Sequence, residues 1–443
     1  MMTKDVFIKL LEGRQFKTVR DILGVMNAVD IALLLSELED KELAIVFRLI
    51  PKDAAAEVFS RMDNSMQANL VEKFSDTELK ELLDDLYMDD TVDMLEEMPA
   101  NLVTRILDTV SAEDRRTINR LLDYPEDSAG SIMTTEYVDL RRNWTVSQAM
   151  RHIRSTGIHK ETIYTCYVIE QRRLVGIVSA KDLMTHEDDV LVQDLMETEI
   201  ISVSTHTDQE DVARIFRKYD FLAIPVLDTE GLLVGIVTFD DAMDVLEEET
   251  TEDITKMAAM SPNEKTYFET SVLAHAKNRI PWLLVLMFTA TVTGSILAKY
   301  EEAFAVMPIL VAFIPMLMDT GGNCGAQSST LIIRGIALGE IQFKDMFRAM
   351  FKELRVSLVV GAVLCLANGL RIYIMYRNFG LTVVICISLF ITIILAKLIG
   401  CMLPLLAKKL GMDPAIMASP LITTLVDTCS ILVYFQVATH LLL

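Results

Sequence analysis

The stretch Val175-Gly-Ile-Val-Ser179-Ala-Lys-Asp182 recurs 59 residues later as Val234-Gly-Ile-Val-Thr238-Phe-Asp-Asp241. A β-branched apolar run that ends on a hydroxyl, with an acid three residues on, reads as a strand entering a helix. Ahead of each copy lies a matching start: Ile132-Met133 followed by 142–153, and Leu195-Met196 followed by 207–216. Each copy reads strand, helix, strand, strand, helix, so residues 131–250 form a duplicated α/β module. Upstream, residues 31–125 alternate short amphipathic stretches with turn signals. Ile50-Pro51 and Met98-Pro99 mark helix boundaries, and Leu33, Leu34, Leu35, Leu38, Val46, Phe47 and Leu49 suit helix core faces. The units recur at roughly 20–25 residues, which predicts a small right-handed or solenoid-like helical array over 1–130.

The 443 residues are 51% hydrophobic, with mean hydropathy +0.34 and formal net charge −22. So apolar an average points to membrane segments. The charge is unevenly divided: residues 281–443 carry eleven Lys and Arg against eight Asp and Glu, and residues 1–280 carry 30 against 55. An acidic, water-soluble front joined to an apolar back argues against nucleic acid as a partner and favours divalent cations. Five of the six cysteines (324, 365, 386, 401 and 429) lie in the apolar part and read as small helix residues. The six histidines are scattered, and no metalloprotease motif, nucleophile–base pair or Walker loop stands out, so no enzyme is expected. Met1–Asp5 carries charge without a long apolar core, so no cleaved signal peptide is expected.

Five runs suit membrane-crossing helices: 280–298, 303–333, 356–370 with a wet end to Arg377, 378–407 and 414–443. Lys277 and Arg279, then Arg334, Lys344, Arg348, Lys352 and Arg355, then Lys408 and Lys409 all fall on one side. The positive-inside rule places that side, and the acidic front, in the cytoplasm and the C-terminus outside. Trp282 suits an interface anchor. Five spans are few for one chain, and a pore shared by two copies is the natural solution.

A carboxylate in mid-span costs a few kcal/mol unless it faces a polar interior. Asp427 shares a helix face with Thr423 and Ser419, giving the last span a polar stripe. Two readings stand: a cation path, or an Asp427 that is protonated or paired with Lys397. The second span contains Pro308, Pro315 and Asp319-Thr-Gly-Gly-Asn323-Cys-Gly-Ala-Gln327. Unwound backbone is tolerated at membrane depth where it lines a cavity, and its oxygens suit a hard cation such as Mg²⁺. The alternative is tight packing of small residues. Lys397 is expected to snorkel to the inner interface.

The stretch from Asp240 to Asp253 holds eight acids in fourteen residues, and Tyr87-Met-Asp89-Asp90-Thr-Val-Asp93 is a second acidic patch. These are either solvated faces or two surfaces that close when divalent cations bridge them. A helix over 254–276 is expected to join the module to the first span.

The doubled Gly-x-x-Ser/Thr-x-x-Asp spacing resembles a tandem pair of CBS domains. That resemblance implies an adenosine-nucleotide site at Ser179 and Asp182, with Lys181 adding charge and Tyr164 a stacking face; a purely dimerising module is the alternative. The whole chain resembles the MgtE family of magnesium channels. The match rests on Gly321-Gly-Asn323-x-Gly325-x-Gln327 with Leu331-Ile-Ile-Arg334, on Gly411-Met-Asp413-Pro414-Ala415, and on Pro420-Leu421 leading to Asp427. It implies an all-α superhelical N domain (1–130), an α/β tandem CBS pair (131–250), a connecting plug helix (251–278) and an all-α polytopic membrane domain of five transmembrane helices (279–443). It implies a homodimeric Mg²⁺ channel in the cytoplasmic membrane, its pore lined by spans two and five and its ion held at Asp427, with Thr423, Ser419 and Asn323 alongside. It implies a cytosolic Mg²⁺ sensor at Glu57, Asp89, Asp93, Asp208, Glu210, Asp220, Asp241, Asp244, Glu249, Glu252 and Asp253, with Asp413 at the membrane end, and ATP at the CBS pair. Ser419, Thr423 and Lys397 depart from the family pattern, and Asp319 is an extra acid. A Na⁺- or H⁺-coupled Mg²⁺ transporter and a non-transporting Mg²⁺ or nucleotide sensor are the other readings.

Overall fold

A computed structural model describes residues 4–263, 267–268, 270–300, 307–417 and 419–441. The chain divides into two compact units, Met1–Leu246 and Glu247–Leu443.

In the first unit, ten helices among the described residues begin at 4, 16, 28, 40, 52, 64, 76, 88, 100 and 112, one every twelve residues. Each is eight to ten residues long, so each rotates its apolar side only once or twice toward a core. The chain stops them with local signals. Pro51 and Pro99 precede the fifth helix (Lys52–Ser60) and the ninth (Ala100–Thr109). Ser75 and Glu78 form a capping box on the seventh (Asp76–Asp85), and Ser111 caps the tenth (Ala112–Leu121). Helices pack two apart: the third (Ala28–Ser36) on the fifth, the fifth on the seventh, the seventh on the ninth, and the sixth (Asn64–Lys73) on the eighth (Met88–Glu97). The repeating unit is therefore a helix pair, which falls in the expected range of spacings and makes a solenoid-like stack.

The duplicated module has the expected order. Strand β1 (Val138–Leu140) pairs parallel with β2 (Thr165–Glu170), and β2 pairs antiparallel with β3 (Arg173–Ser179). The second copy repeats this with β4 (Val203–Ser204), β5 (Ala223–Leu227) and β6 (Leu233–Thr238). The copies exchange their leading segments. Thr134, ahead of β1, bridges Ile236 in β6, and Glu197, ahead of β4, bridges Ile177 in β3. The repeated glycines seat this exchange: a Cβ on Gly235 would lie 2.7 Å from Met133 Sδ, and one on Gly176 2.5 Å from Met196 Sδ. Both the Gly and the matching Ile-Met and Leu-Met starts are thus explained by one reciprocal contact.

The second unit holds five helices among the described residues that are long and apolar enough to cross a membrane. They are the first span (Val272–Lys299), the second (Ile314–Ala337, preceded by a 3₁₀ turn Pro308–Phe313), the third (Met346–Tyr376), the fourth (Phe379–Lys409) and the fifth (Ser419–Leu441). The second span packs on the fourth and fifth, the third on the fourth, and the first on the fifth. None of the first span's residues is buried. It touches the fifth through Thr293 and Thr428, whose hydroxyls are 3.0 Å apart.

Three expectations are corrected. The second span is not unwound: residues 314–337 are continuous helix through both glycines of the Gly-Gly pair. Its glycines serve close packing. Cβ atoms on Gly321, Gly322 and Gly325 would lie 2.7–2.9 Å from Thr392, Ser430, Val426, Thr423 or Ile422. Second, no single helix covers 254–276. One helix runs from Phe239 to Met257 and the next starts at Val272 after the Ser271 cap. Third, Lys397 does not snorkel, nor does it pair with Asp427: it is 4% exposed and paired with Glu353.

The tightest glycine contact joins spans two and four: a Cβ on Gly400 would lie 2.2 Å from the carbonyl oxygen of Gly325. Backbone cannot swing aside as a side chain does, so Gly400→Ala is expected to destabilise the purified protein by about 1–3 kcal/mol. Gly294→Ala, with nothing within 4 Å of the new methyl, serves as the control. A thermal melt of Gly400→Ala that overlays the control would refute the contact.

Candidate functional site

Two sets of polar side chains stand out, one gathered by the fold and one aligned along a helix. In the first unit, Asp89 opens the eighth helix, Glu136 precedes β1, and Glu161 lies ahead of β2. One carboxylate oxygen from each lies within 4.8 Å of the others, the one such group among the described residues. Asp89 is 7% exposed. Glu136 Oε2 accepts from the Met88 N–H at 3.1 Å. Glu161 Oε2 is buried and has no hydrogen-bond partner among the described residues. Asp241 stands close by, its carboxylate accepting from the Thr238 hydroxyl at 2.5 Å, and its charge acts on Asp89 and Glu161.

Burial first, and the neighbouring carboxylates second, push Asp89 well up and Glu161 to about 8. Burial raises Asp241 and Asp90 to about 6 each, against the Thr238 hydrogen bonds for Asp241 and the Arg61 charge for Asp90. Glu136 is also raised by burial, against the Met88 hydrogen bond and the Lys160 charge. Hard oxygen donors, one of them buried without a partner, fit a hard divalent cation such as Mg²⁺ or Ca²⁺. Glu136 and Glu161 were not legible in the sequence: each is a lone acid outside any acidic run.

The other expected sensor residues are dispersed. Glu57 is exposed on the fifth helix, and Asp93 is exposed one turn beyond Asp89. Asp208 caps the Gln209–Tyr219 helix, Glu210 pairs with Arg214 at 2.9 Å, and Asp220 ends that helix in the left-handed region. Asp244 is exposed on the Phe239–Met257 helix, where Glu249 and Asp253 are half-buried. In the second unit, Lys256 Nζ lies 2.7 Å from both Glu252 Oε1 and Asp413 Oδ2. Asp413 Oδ1 accepts from the Ala415 N–H at 2.8 Å.

The expected nucleotide residues sit together where β3 ends and the next helix begins. Ser179 Oγ accepts from the Asp182 N–H at 3.0 Å and caps the following helix. The Ala180 N–H donates to the Tyr164 carbonyl at 2.9 Å, and the Tyr164 ring is 67% exposed beside the exposed Lys181.

The second set lies in the membrane helices. Asp319, Asn323 and Gln327 are four residues apart and all exposed, while Gly321, Gly322, Cys324, Gly325, Ser328 and Ser329 are buried. The second span thus turns a polar stripe outward and a small-residue stripe inward. Gly322 rests against Thr423 of the fifth span, one turn from Asp427. Asp427 is half-buried, and its Oδ1 has no hydrogen-bond partner among the described residues. Ser419 begins the fifth span, and its side chain lies outside the described residues.

Five membrane-length helices, one of them with an outward polar stripe, joined to a duplicated α/β module and an acidic helical array, suit a membrane transporter for a cation. A family model described as a divalent cation transporter matches residues 314–437. One for the MgtE intracellular N domain matches 26–127, and one for the CBS domain matches 129–189 and 192–248. The magnesium transporter MgtE of Thermus thermophilus is 38% identical over 449 residues, covering 100% of this chain and 99% of its own length. That of Bacillus subtilis is 36% identical, covering 98% and 96%. The crystal structure of the cytosolic domain of the Mg²⁺ channel MgtE in complex with ATP matches at TM-score 0.52 and 35% identity, over 55% of this chain and all of that one. The chain belongs to the MgtE family of magnesium transporters and is a multi-pass membrane protein.

The acid cluster generates a pH test. Unfolded carboxylic acids titrate near 4. Raised folded values mean that the folded unit binds extra protons, so its stability is greatest at low pH and is lost as pH rises through about 6 and then about 8. With divalent cations chelated, the melting temperature should fall from pH 5 to pH 8.5, and millimolar Mg²⁺ should restore it at pH 8.5. Glu161→Gln should melt higher than the parent in chelator and gain less from Mg²⁺. A parent melt independent of pH in chelator would contradict the cluster's geometry.

Proposed function

We propose that the chain is a Mg²⁺-selective channel that mediates Mg²⁺ uptake across the cytoplasmic membrane as a homodimer, with spans two and five lining the pore. The observation that carries this is the outward stripe of Asp319, Asn323 and Gln327 beside the span that bears Asp427. Carboxylate and amide groups facing outward at membrane depth are costly against lipid but stable against water or a second copy. Two copies around one axis supply two Asp427 carboxylates, whose mutual repulsion a divalent cation relieves. Mg²⁺ dehydrates reluctantly, and a path lined by oxygens passes it with much of its water retained.

The acidic front faces the cytosol, and Asp89, Glu136, Glu161 and Asp241 would hold the regulatory Mg²⁺ there, with Asp90 beside them. A bound divalent cation supplies the charge that lets these groups stay together unprotonated. At low cytosolic Mg²⁺ their repulsion opens the first unit, and the Phe239–Met257 helix passes that change toward the membrane; at high Mg²⁺ the acids stay together and the pore closes. The other acids named by the family resemblance would be separate sensor contacts, apart from this cluster. ATP at Ser179, Asp182, Lys181 and Tyr164 tunes closure, a reading supported by the ATP-bound relative.

The test is Mg²⁺ flux into liposomes holding only the purified chain, with Mg²⁺ varied on the soluble-domain side. Flux should fall as that Mg²⁺ rises, and Asp427→Ala should abolish flux in a folded protein. Normal flux through Asp427→Ala would sink the pore assignment. Flux that requires a Na⁺ or proton gradient would make the chain a coupled transporter, and no flux would make it a sensor.

A further inference from the structure

The membrane unit holds a charge pair apart from the Asp427 path. Lys397 of the fourth span is 4% exposed and Glu353 of the third is 9% exposed. Lys397 Nζ lies 3.7 Å from Glu353 Oε2 and donates to Ser328 Oγ at 3.3 Å. Ser328 Oγ, fully buried on the second span, donates to the same Glu353 Oε2 at 2.7 Å. One hydroxyl thus accepts from the ammonium and donates to the carboxylate, which uses its donor and one lone pair.

The position of Ser328 gives this network a purpose beyond neutralising charge. At 100° per residue, Ser328 stands about 180° around the helix from Asp319 and about 140° from Asn323. The network therefore grips the second span from behind its polar stripe. One residue on, Ser329 Oγ donates to the Met417 carbonyl at 2.9 Å, just before the fifth span. Near Lys397 on the fourth span, Gly400 meets the Gly325 carbonyl. A glycine-lined contact permits close approach but does not resist rotation; directional polar bonds do. Buried polar networks that are fully paired specify one arrangement, and removing one partner leaves a charge uncompensated.

We infer that Lys397 and Glu353, acting through Ser328, form a buried clamp that fixes the rotation of the second span and so aims Asn323 and Gln327 into the ion path. Lys397, Glu353 and Ser328 are positioning residues for Mg²⁺ permeation. The inference rests on the pore reading above, since a clamp on this helix matters for transport only if the helix lines the path.

The experiment measures Mg²⁺ flux and the Mg²⁺-to-Co²⁺ flux ratio in liposomes, per folded protein, for the full chain and four variants. A parent with no flux defeats the pore reading itself; a conducting parent lets the clamp be judged alone. Lys397→Met and Glu353→Gln should each lower Mg²⁺ flux about ten-fold or more, and the Lys397→Met/Glu353→Gln double variant should recover much of it, because no bare charge remains. Ser328→Ala keeps the ion pair but cuts its link to the second span; it should lower flux about three-fold and shift the Mg²⁺-to-Co²⁺ ratio. A fold-only role predicts lost protein without a changed ratio. If the single charge variants fail to fold, Ser328→Ala decides: parental flux and parental ratio in that variant overturn the clamp. So would single charge variants that fold and conduct like the parent.

Discussion

Asp89, Glu136 and Glu161 crowd three carboxylate oxygens within 4.8 Å of one another, and Asp241 adds a fourth charge nearby. Lys160 beside Glu136 and Arg61 beside Asp90 offset part of this charge, yet burial still leaves Glu161 titrating at about 8. Elsewhere the chain supplies its own cation. Arg48 holds Glu78 at 2.7 Å, Lys256 sits between Glu252 and Asp413, and Lys397 answers Glu353 inside the membrane. The contrast sorts the acids of a strongly acidic protein. Where a lysine or arginine is built in, the contact holds whatever the surrounding ions; where none is, the contact holds only with protons or a divalent cation. The cluster at Asp89 lies nearer the second kind: Lys160 offsets Glu136 only in part, and Asp89 and Glu161 are still pushed up.

Close backbone approach is the second constraint, and glycine meets it in both units. In the soluble part, Gly176 and Gly235 admit the methionine of the opposite repeat, so the two copies cannot be separated without opening both contacts. In the membrane part, Gly321, Gly322, Gly325 and Gly400 bring spans two, four and five together. Small residues on one side of the second span leave its polar groups on the other. The Gly-Gly-Asn pattern is therefore a packing face and a polar face of one continuous helix, not a break in it.

Features carried by spacing were readable. The 59-residue repeat predicted the order of strands and helices along each copy, and the uncharged runs located all five spans. The helical array was readable as an array, but its twelve-residue step was not: eight-residue helices show the apolar face too few times for a period to stand out. The cluster was half legible. Asp89 and Asp241 lie in acidic runs, whereas Glu136 and Glu161 are single acids in connecting segments that tertiary folding gathers. Lys397 was conspicuous but its partner was not, because Glu353 follows a basic stretch and reads as the wet end of a helix. The plug helix was misplaced for a related reason. The acidic run continues the last helix of the CBS pair without a breaker until Met257, so the helix starts and ends earlier than a linker would.

That displacement puts two kinds of acid contact on one helix. The Phe239–Met257 helix carries Asp241, a member of the acid cluster, in its first turn and Lys256 in its last. Nineteen helical residues measure about 28 Å along the helix axis. Its two ends differ in chemistry: the first turn contributes an acid to a site where carboxylates outnumber the nearby cations Lys160 and Arg61, and the last presents Lys256 to Glu252 and Asp413. Under the proposed reading, loss of Mg²⁺ frees the end held by a mobile ion before the end held by a covalently attached one. On that reading Lys256 keeps its contacts with Glu252 and Asp413 whether or not an ion is bound at the cluster. The order of release follows from where the chain supplies its own cations.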